Sequence, residues 1–390
     1  MNFNEKRSCL ESIKKRYKKA TRKLKQKILD EFCATTGYNR KYAIYTLGRR
    51  KTKHQRKKPG RHSLYSNERI LTPLRAIWLA SDLACSKKLK VVIREWLPHY
   101  EKENSQLDDV TRGQLYAISP ATIDRILKPI RPQYPHKGKS GTKPGRLLKN
   151  QIPIKTDHWD VTQPGFLEAD TVAHCGNSLA GDFVWSITLT DILTTWTEIR
   201  ATWNKGSDGV QKQIKNVEKS LPFAILGFDC DNGSEFLNHH LYRYFAKRKK
   251  PVQFTRSRPY RKNDNAHVEQ KNWTHVRQLF GYDRFDKPIL VELMNDLYSN
   301  EYSQYQNHFI PTMKLISKEK INSKYRKKYD KPKTPYQRIM ESEHISLDTK
   351  GRLKKQHDSL NPFELKREIQ RKLKKIFSHV TVPQKIKKPI

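Results

Sequence analysis

Three short stretches of this chain each carry a carboxylate that ordinary packing does not choose, and they limit the fold more than any other feature. The first is Phe166-Leu167-Glu168-Ala169-Asp170, an apolar run that ends on Asp170. The second is the run Phe223 to Phe228, followed by Asp229-Cys230-Asp231 and then Asn232-Gly233. Both runs read as strands, and Asn-Gly is a strand breaker. Asp is poor in a strand interior, so an Asp at a strand end is free to point at something. The third acid, Glu269, lies on a predicted helix from Asn263 to about Gly281, with Asn263 or Asp264 as N-cap. If the two strand ends and the helix meet, three carboxylates converge. That is a site for hard divalent cations, which take carboxylates, waters and substrate phosphate oxygens. Two ions about 3.5–4 Å apart can serve both the attacking and the leaving oxygen of a displacement.

Neighbouring acids compete for these roles. Asp229 stands two residues before Asp231, so in a strand both face one way. It reads as a second ligand, a supporting group or a solvated neighbour, and Asp231, beside the Asn-Gly turn, is preferred. Asp191 follows the alternating run Trp185 to Thr190 and reads as a structural strand end. Glu168 shares the Asp170 face and reads as a charge that tunes the site or meets solvent. Asp264 reads as a helix-start residue. His174 and Cys175 fall in a predicted hairpin turn ending at Gly176, where a zinc role is disfavoured. His267 lies about 200° around the helix axis from Glu269, whereas Asn265 and Trp273 share its face more closely.

Charge decides the partner class. The 390 residues carry a formal net charge of +40 and a pI near 10.0. Residues 1–62 hold 21 Lys and Arg against 4 Asp and Glu. A body this basic needs an acidic partner, and nucleic acid is the first choice. No apolar stretch is long enough to span a bilayer and no apolar signal core follows the N-terminus, so a cytoplasmic, nucleoid-associated protein is expected. Five cysteines, at 9, 33, 85, 175 and 230, form no C-x-x-C pair, which argues against a disulfide framework or a zinc finger.

The organisation follows from period and composition. Residues 1–62 form a predicted helical region and basic linker. Leu24, Ile28, Leu29 and Phe32 keep helical spacing, Gly37 breaks the helix, and Asn39 caps a second one carrying Ala43, Ile44 and Leu47. This is a helix-turn-helix outline, with Arg40, Lys41 and Tyr45 available to a DNA groove and Arg49 and Arg50 opening the linker. Residues 63–130 form a second helical module, in which Ser119 caps a helix begun by Pro120. Residues 131–153 are a basic linker. Residues 154–310 hold strands near 165–173, 182–192 and 195–204, a helix near 207–219, the Asp231 strand, a helix near 234–248, a strand at 252–257, the Glu269 helix and a helix near 288–307. Residues 311–390 are basic and mostly helical, with Lys318–Lys333 a connector and Leu365–Phe377 an amphipathic helix.

The motif Asp231-Asn-Gly-x-Glu-Phe236 after an apolar strand, then Asp264-Asn-Ala-x-x-Glu269, with 37 residues between Asp231 and Glu269, resembles the catalytic core of retroviral-type integrases and bacterial insertion-sequence transposases. These are the DDE group of the ribonuclease-H-like superfamily. The resemblance covers roughly 154–309 and implies a mixed five-stranded sheet with Asp170, Asp231 and Glu269 as first, second and third acid. It further implies two Mg2+ ions, with Mn2+ as substitute, and a homo-oligomer acting on double-stranded DNA, both element ends and target. The implied reaction is strand cleavage followed by strand transfer, with the tandem helical modules reading the ends. It also implies a basic connection over the DNA, here Arg256, Arg258, Arg261 and Lys262. The chain departs from retroviral integrases in lacking their N-terminal His-His-Cys-Cys pattern, in a longer gap between the last two acids, and in showing little sign of a C-terminal β-barrel. Two alternatives stay open: a nuclease without strand transfer on the same core, and a DNA-binding regulator that has lost catalysis.

Overall fold

Alternation of side chains builds the sheet. In the computed structural model, which describes residues 1–48, 64–65, 68–104, 106–134, 161–230, 236, 239–256, 266–321 and 324–380, the chain forms two units, Met1–Ser63 and Leu64–Ile390. In the first, α1 (Phe3–Lys19), α2 (Arg22–Thr36) and α3 (Arg40–Gly48) enclose Leu29, Phe32, Ala43 and Leu47. Gly37 ends α2 in the left-handed region at φ 71°, and the Asn39 side chain accepts from the Lys41 N–H at 2.9 Å. Leu24 and Ile44, expected on the apolar stripe, are exposed.

The second unit opens with α4 (Glu68–Ala80), α5 (Ser86–Glu103), α6 (Asp109–Ala117) and α7 (Pro120–Leu127). Ser119 caps α7 by accepting from the Thr122 N–H, with Pro120 as its first residue. Then come β1 (Phe166–Ala173), β2 (Val184–Asp191), β3 (Thr197–Trp203), α8 (Ser207–Ser220), β4 (Gly227–Cys230), α9 (His239–Ala246) and β5 (Gln253–Arg256). The strands form one sheet in the order β3-β2-β1-β4-β5. The first three pair antiparallel as a meander, and β4 and β5 join parallel to β1. Gly165, just before β1, has φ +119°, and a Cβ there would meet the Ala224 carbonyl at 2.5 Å, so only glycine fits. Asp191, wholly buried, accepts from the Gly165 and Thr194 N–H groups and organises the turn after β2.

The two sheet faces differ in kind. One carries Leu167, Ala169, Ile187, Leu189 and Phe228 and packs on Val210, Ile214 and Val217 of α8 and Leu241 and Phe245 of α9. The other carries Glu168, Asp170 and Val172, with Thr190, Thr188 and Ser186 opposite them on β2. That face is covered by α10 (Ala266–Lys271), which runs on through π-helical turns (Asn272–Arg277) into α11 (Gln278–Phe280). Next to it lies α12 (Ile289–Leu297), extended by π-helical turns at Tyr298–Tyr302 and Tyr305–Phe309. Helices on both faces of a sheet make this a layered α/β unit.

Edge strand β3 is closed by side chains instead of a sixth strand. Asn307 takes the Thr197 N–H and donates to the Thr197 carbonyl, both at 2.9 Å. Asn295 does the same at Ala201, at 2.7 and 2.9 Å. Such cover blunts an edge that would otherwise template pairing. The rest of the chain adds β6 (Leu315–Ile321), β7 (Lys324–Tyr329), α13 (Pro335–Glu341), α14 (Leu347–Ser359) and α15 (Pro362–Ser378). Ile369 and Ile376 of α15 share one core with Leu74, Trp96, Phe280 and Leu297. The expected connector 318–333 is corrected by β6 and β7, which form a separate antiparallel hairpin. Its pairing rests on backbone hydrogen bonds, and none of its described side chains is fully buried, so no apolar period announces it. No described helix is long and apolar enough to cross a membrane.

Candidate active site between β1 and α10

The acids of β1 tie the strand to α10 at two points. Glu168, 3% exposed, accepts the Val268 N–H at 3.0 Å. Asp170 accepts the Asn272 side-chain amide on Oδ2 at 2.7 Å and its neighbour's Thr171 N–H on Oδ1 at 2.7 Å. Two residues along a strand rise about 6.8 Å, and four along a helix about 6 Å. The two contacts therefore match only with the helix running along β1 in the same direction. Glu269 sits inside this bracket, three residues before Asn272 and hence on the same helical face. Its side chain is exposed.

β4 supplies the third neighbour. Asp229 is paired in register with Glu168 and shares its face, and its Oδ1 accepts from the Thr255 hydroxyl at 2.6 Å. Cys230 is paired with Ala169. Asp231 lies outside the described residues, as do Asn263 to Asn265. Among the described residues no three His, Cys, Asp or Glu side chains group to hold an ion.

Two side-chain oxygens near Asp170 are left over, as is the buried Nδ1 of His174 farther along. Asn272 Oδ1 and Thr188 Oγ1 are buried without a hydrogen-bond partner, and Thr188 stands opposite Asp170 on β2. Asp170 accepts through both oxygens, Oδ2 from the Asn272 amide and Oδ1 from the Thr171 N–H. This donor set suits a hard, oxygen-seeking cation and not a thiophilic one.

Sequence reasoning passed over the groups that support these acids. Asn272 had a signal, its i+3 spacing from Glu269. Glu168 was placed on the right face, but its role as acceptor for the α10 backbone was not seen. Lys271 is buried, and burial, with repulsion from Lys88 and Arg338, pulls its ammonium down to about 7. His174 is wholly buried, stacked on Phe285, and its Nε2 meets Ser186 Oγ at 2.8 Å, which in turn meets the Tyr298 hydroxyl at 2.9 Å. Burial, then Arg277, lowers that imidazole to about 3. This chain of contacts pins the end of β1 to the extension of α12.

The residues expected to touch DNA are distributed elsewhere. Lys41 and Tyr45 are exposed on α3 of the first unit. Arg40, also exposed, is paired with Asp30. Arg256 closes β5, its backbone paired with Cys230. Arg49, Arg50, Arg258, Arg261 and Lys262 lie outside the described residues.

No protein-family model matches the chain. It is 36% identical over 331 residues to the uncharacterized protein y4rM of Sinorhizobium fredii, covering 84% of this chain and 93% of that one. Among solved structures, it is similar to the catalytic core domain of BIV integrase, at TM-score 0.28 and 15% identity, over 46% of this chain and 96% of that one. It is also similar to the HTLV-2 integrase catalytic core domain in complex with magnesium in its trimeric form, at TM-score 0.27 and 14% identity, over 37% and 86%.

Proposed function

We propose that this chain, which belongs to the same family as y4rM of Sinorhizobium fredii, is a transposase of the three-carboxylate type that cleaves DNA at insertion-sequence ends and joins them to target DNA. The observation that carries the reading is the Asp170–Asn272 bond, because it joins the first acid of the motif to the helix that bears the third. Two further features support it. The order β3-β2-β1-β4-β5, a meander followed by two parallel strands, is the ribonuclease-H-like plan that the motif implies. And each of Asp170 and Asp231 is the residue next after one of the register partners Ala169 and Cys230.

In this reading Asp170, Asp231 and Glu269 would hold a pair of divalent cations, magnesium by the chemistry of oxygen donors with manganese as substitute, whose contribution is to activate the attacking oxygen and stabilise the leaving one. The protein's own part is positioning. Asn272 holds one Asp170 oxygen in a charge-assisted hydrogen bond, and Glu168 holds the α10 backbone, so the helix that bears Glu269 is held along β1 by two clamps. A water oxygen attacks the phosphorus at the element end, a new P–O bond forms, and the P–O3′ bond breaks to leave a 3′-hydroxyl. That hydroxyl attacks a target phosphorus, again making one P–O bond and breaking one. No protein–DNA bond forms. Joining two ends calls for at least two subunits.

The test uses the purified chain, its flanking DNA and magnesium or manganese. Wild type is expected to nick and join; Asp170→Asn, Asp231→Asn and Glu269→Gln are each expected to bind DNA and do neither. Cleavage without joined product would make the protein a nuclease. Unchanged joining by any of the three variants would remove that acid from the site.

A further inference from the structure

The hairpin β6–β7 stands apart from the rest of the second unit in one respect: it is charged, exposed and firmly rooted. Residues 315–329 hold six Lys and Arg against one Glu. Lys320, Arg326, Lys327 and Lys328 are exposed, and so are Ile316 at 60%, Ile321 at 48% and Tyr329 at 47%. The register sets Lys320 opposite Tyr325 and Lys327 opposite Lys318, while Arg326 and Lys328 alternate to the other face. Both faces therefore carry cations. A lone two-stranded hairpin is marginal in water, and its cations outnumber its one acid, Glu319, which stands opposite Arg326. Such a ribbon gains from an anionic partner that contacts both faces at once.

Its root is fixed to the sheet that carries Asp170. Thr312 and Lys333 exchange backbone hydrogen bonds at 2.8 and 3.1 Å. Lys314 Nζ donates to the Leu193 carbonyl at 3.0 Å, and the Thr312 hydroxyl meets the Thr195 hydroxyl at 2.7 Å, both in the turn between β2 and β3. Arg338 of α13 pairs with Asp330 at 2.7 Å. The ribbon is thus a lever with an anchored base.

We propose that β6–β7 is a second DNA-docking element, a basic ribbon that lies in the major groove of duplex DNA. Seven strand residues reach about 24 Å, and a major groove about 12 Å wide admits a two-stranded ribbon. In the groove, phosphates of both strands flank the two charged faces, and the exposed Ile316, Ile321 and Tyr329 have base edges to pack on. A second copy of the chain is a poor occupant, because it also carries +40. The inference deepens the reading of the protein as a DNA-processing enzyme and rests on it for the choice of partner.

The experiment measures binding of the full chain to a labelled duplex across a KCl series. Neutralising Lys320→Gln, Arg326→Gln, Lys327→Gln and Lys328→Gln together is expected to flatten the slope of log K against log salt by about 2–4, since each phosphate contact contributes about 0.9. The same variant is expected to bind at least about 10-fold more weakly near 0.1 M salt. Lys327→Cys carrying a photoactivated thiol label is expected to cross-link to DNA. A slope unchanged in a variant that melts like wild type overturns the proposal, as does a label that cross-links only to protein or a variant whose sole change is its assembly state. Asp170→Asn separates this from the catalytic reading. If Asp170→Asn still cleaves while the ribbon variant loses slope, the site assignment fails and the ribbon stands; if Asp170→Asn is silent and the ribbon slope is unchanged, the reverse holds.

Discussion

Replacing Asn272 by Leu separates what this residue does for the fold from what it does for the site. Leu keeps the branched outline of Asn but is bulkier, so the change removes polarity without opening a cavity, at a modest overpacking cost. Two terms of opposite sign follow. The hydrogen bond to the Asp170 carboxylate, 2.7 Å long, is lost, and bonds to charged groups contribute about 1.5–3 kcal/mol. Against that, Asn272 Oδ1 is a buried acceptor with no partner, and such an orphan costs about 1–3 kcal/mol. The terms nearly cancel, so the melting temperature of Asn272→Leu is expected to stay within a few degrees of wild type. The site is not compensated in the same way. Asp170 loses the donor that orients its Oδ2, and the loss of an outer partner of this kind lowers metal affinity or activity about 10–100-fold. The assay is strand cleavage of end DNA across a magnesium titration, alongside calorimetry. The expected result is unchanged stability with cleavage down 10–100-fold at low magnesium and partly recovered at high magnesium. Wild-type cleavage by Asn272→Leu at every magnesium concentration would refute the positioning role.

Three further outcomes follow from the same contacts. Asn307→Ala leaves the Thr197 N–H and C=O without their side-chain partners on edge strand β3, and is expected to lower stability in urea by about 2–4 kcal/mol; no loss would mean another group covers the edge. Glu198 and Arg200 form a buried pair at 3.0 Å, both 2% exposed. Arg200→Met alone is expected to cost about 3–5 kcal/mol and the double change with Glu198→Gln much less, since the single change strands a buried charge; equal losses would argue against that account. Glu95 lines a cavity of about 630 Å³ with Arg94, Tyr336 and His357, and burial pushes its carboxyl up to about 8. The folded state then keeps a proton that the unfolded chain releases above about pH 4.5, so this group's contribution falls as pH rises from about 4.5 to 8 and is flat beyond. Glu95→Gln is expected to gain up to a few kcal/mol over wild type between pH 5 and pH 8; parallel pH profiles for the two proteins would contradict it.

What could be read from the chain, and what could not, divides along the range of the interactions. Strands β1 and β2 were legible because Leu167, Ala169, Ile187 and Leu189 alternate with polar residues, and alternation is a local signal. The α7 cap at Ser119 and the left-handed Gly37 were legible for the same reason. The hairpin β6–β7 was not, because none of its described side chains is fully buried and lysine fills positions where a core residue would have marked the period. The cover of β3 by Asn295 and Asn307 was not, because an amide that imitates a neighbouring strand looks like any polar residue on a helix until the strand is beside it.

The clamps at the site show the same limit most sharply. Glu168 meets Val268, and Asp170 meets Asn272, across 100 and 102 positions of chain. No window of sequence contains both partners. Yet the two contacts are not independent, since a strand step of two residues and a helix step of four have nearly equal rise. Once Glu168 has captured the Val268 N–H, Asp170 arrives opposite residue 272 and no other, and an amide donor is what a carboxylate there requires. An Asp or Glu at 272 would set two anions at hydrogen-bond distance, and a Leu would leave the Asp170 Oδ2 without this donor. Asn at 272 therefore suits an Asp170 kept as a carboxylate with both oxygens positioned, Oδ2 by the amide and Oδ1 by the Thr171 N–H. A side chain held in that way has a use beyond packing, and it is the physical reason to look for chemistry at this point on the sheet.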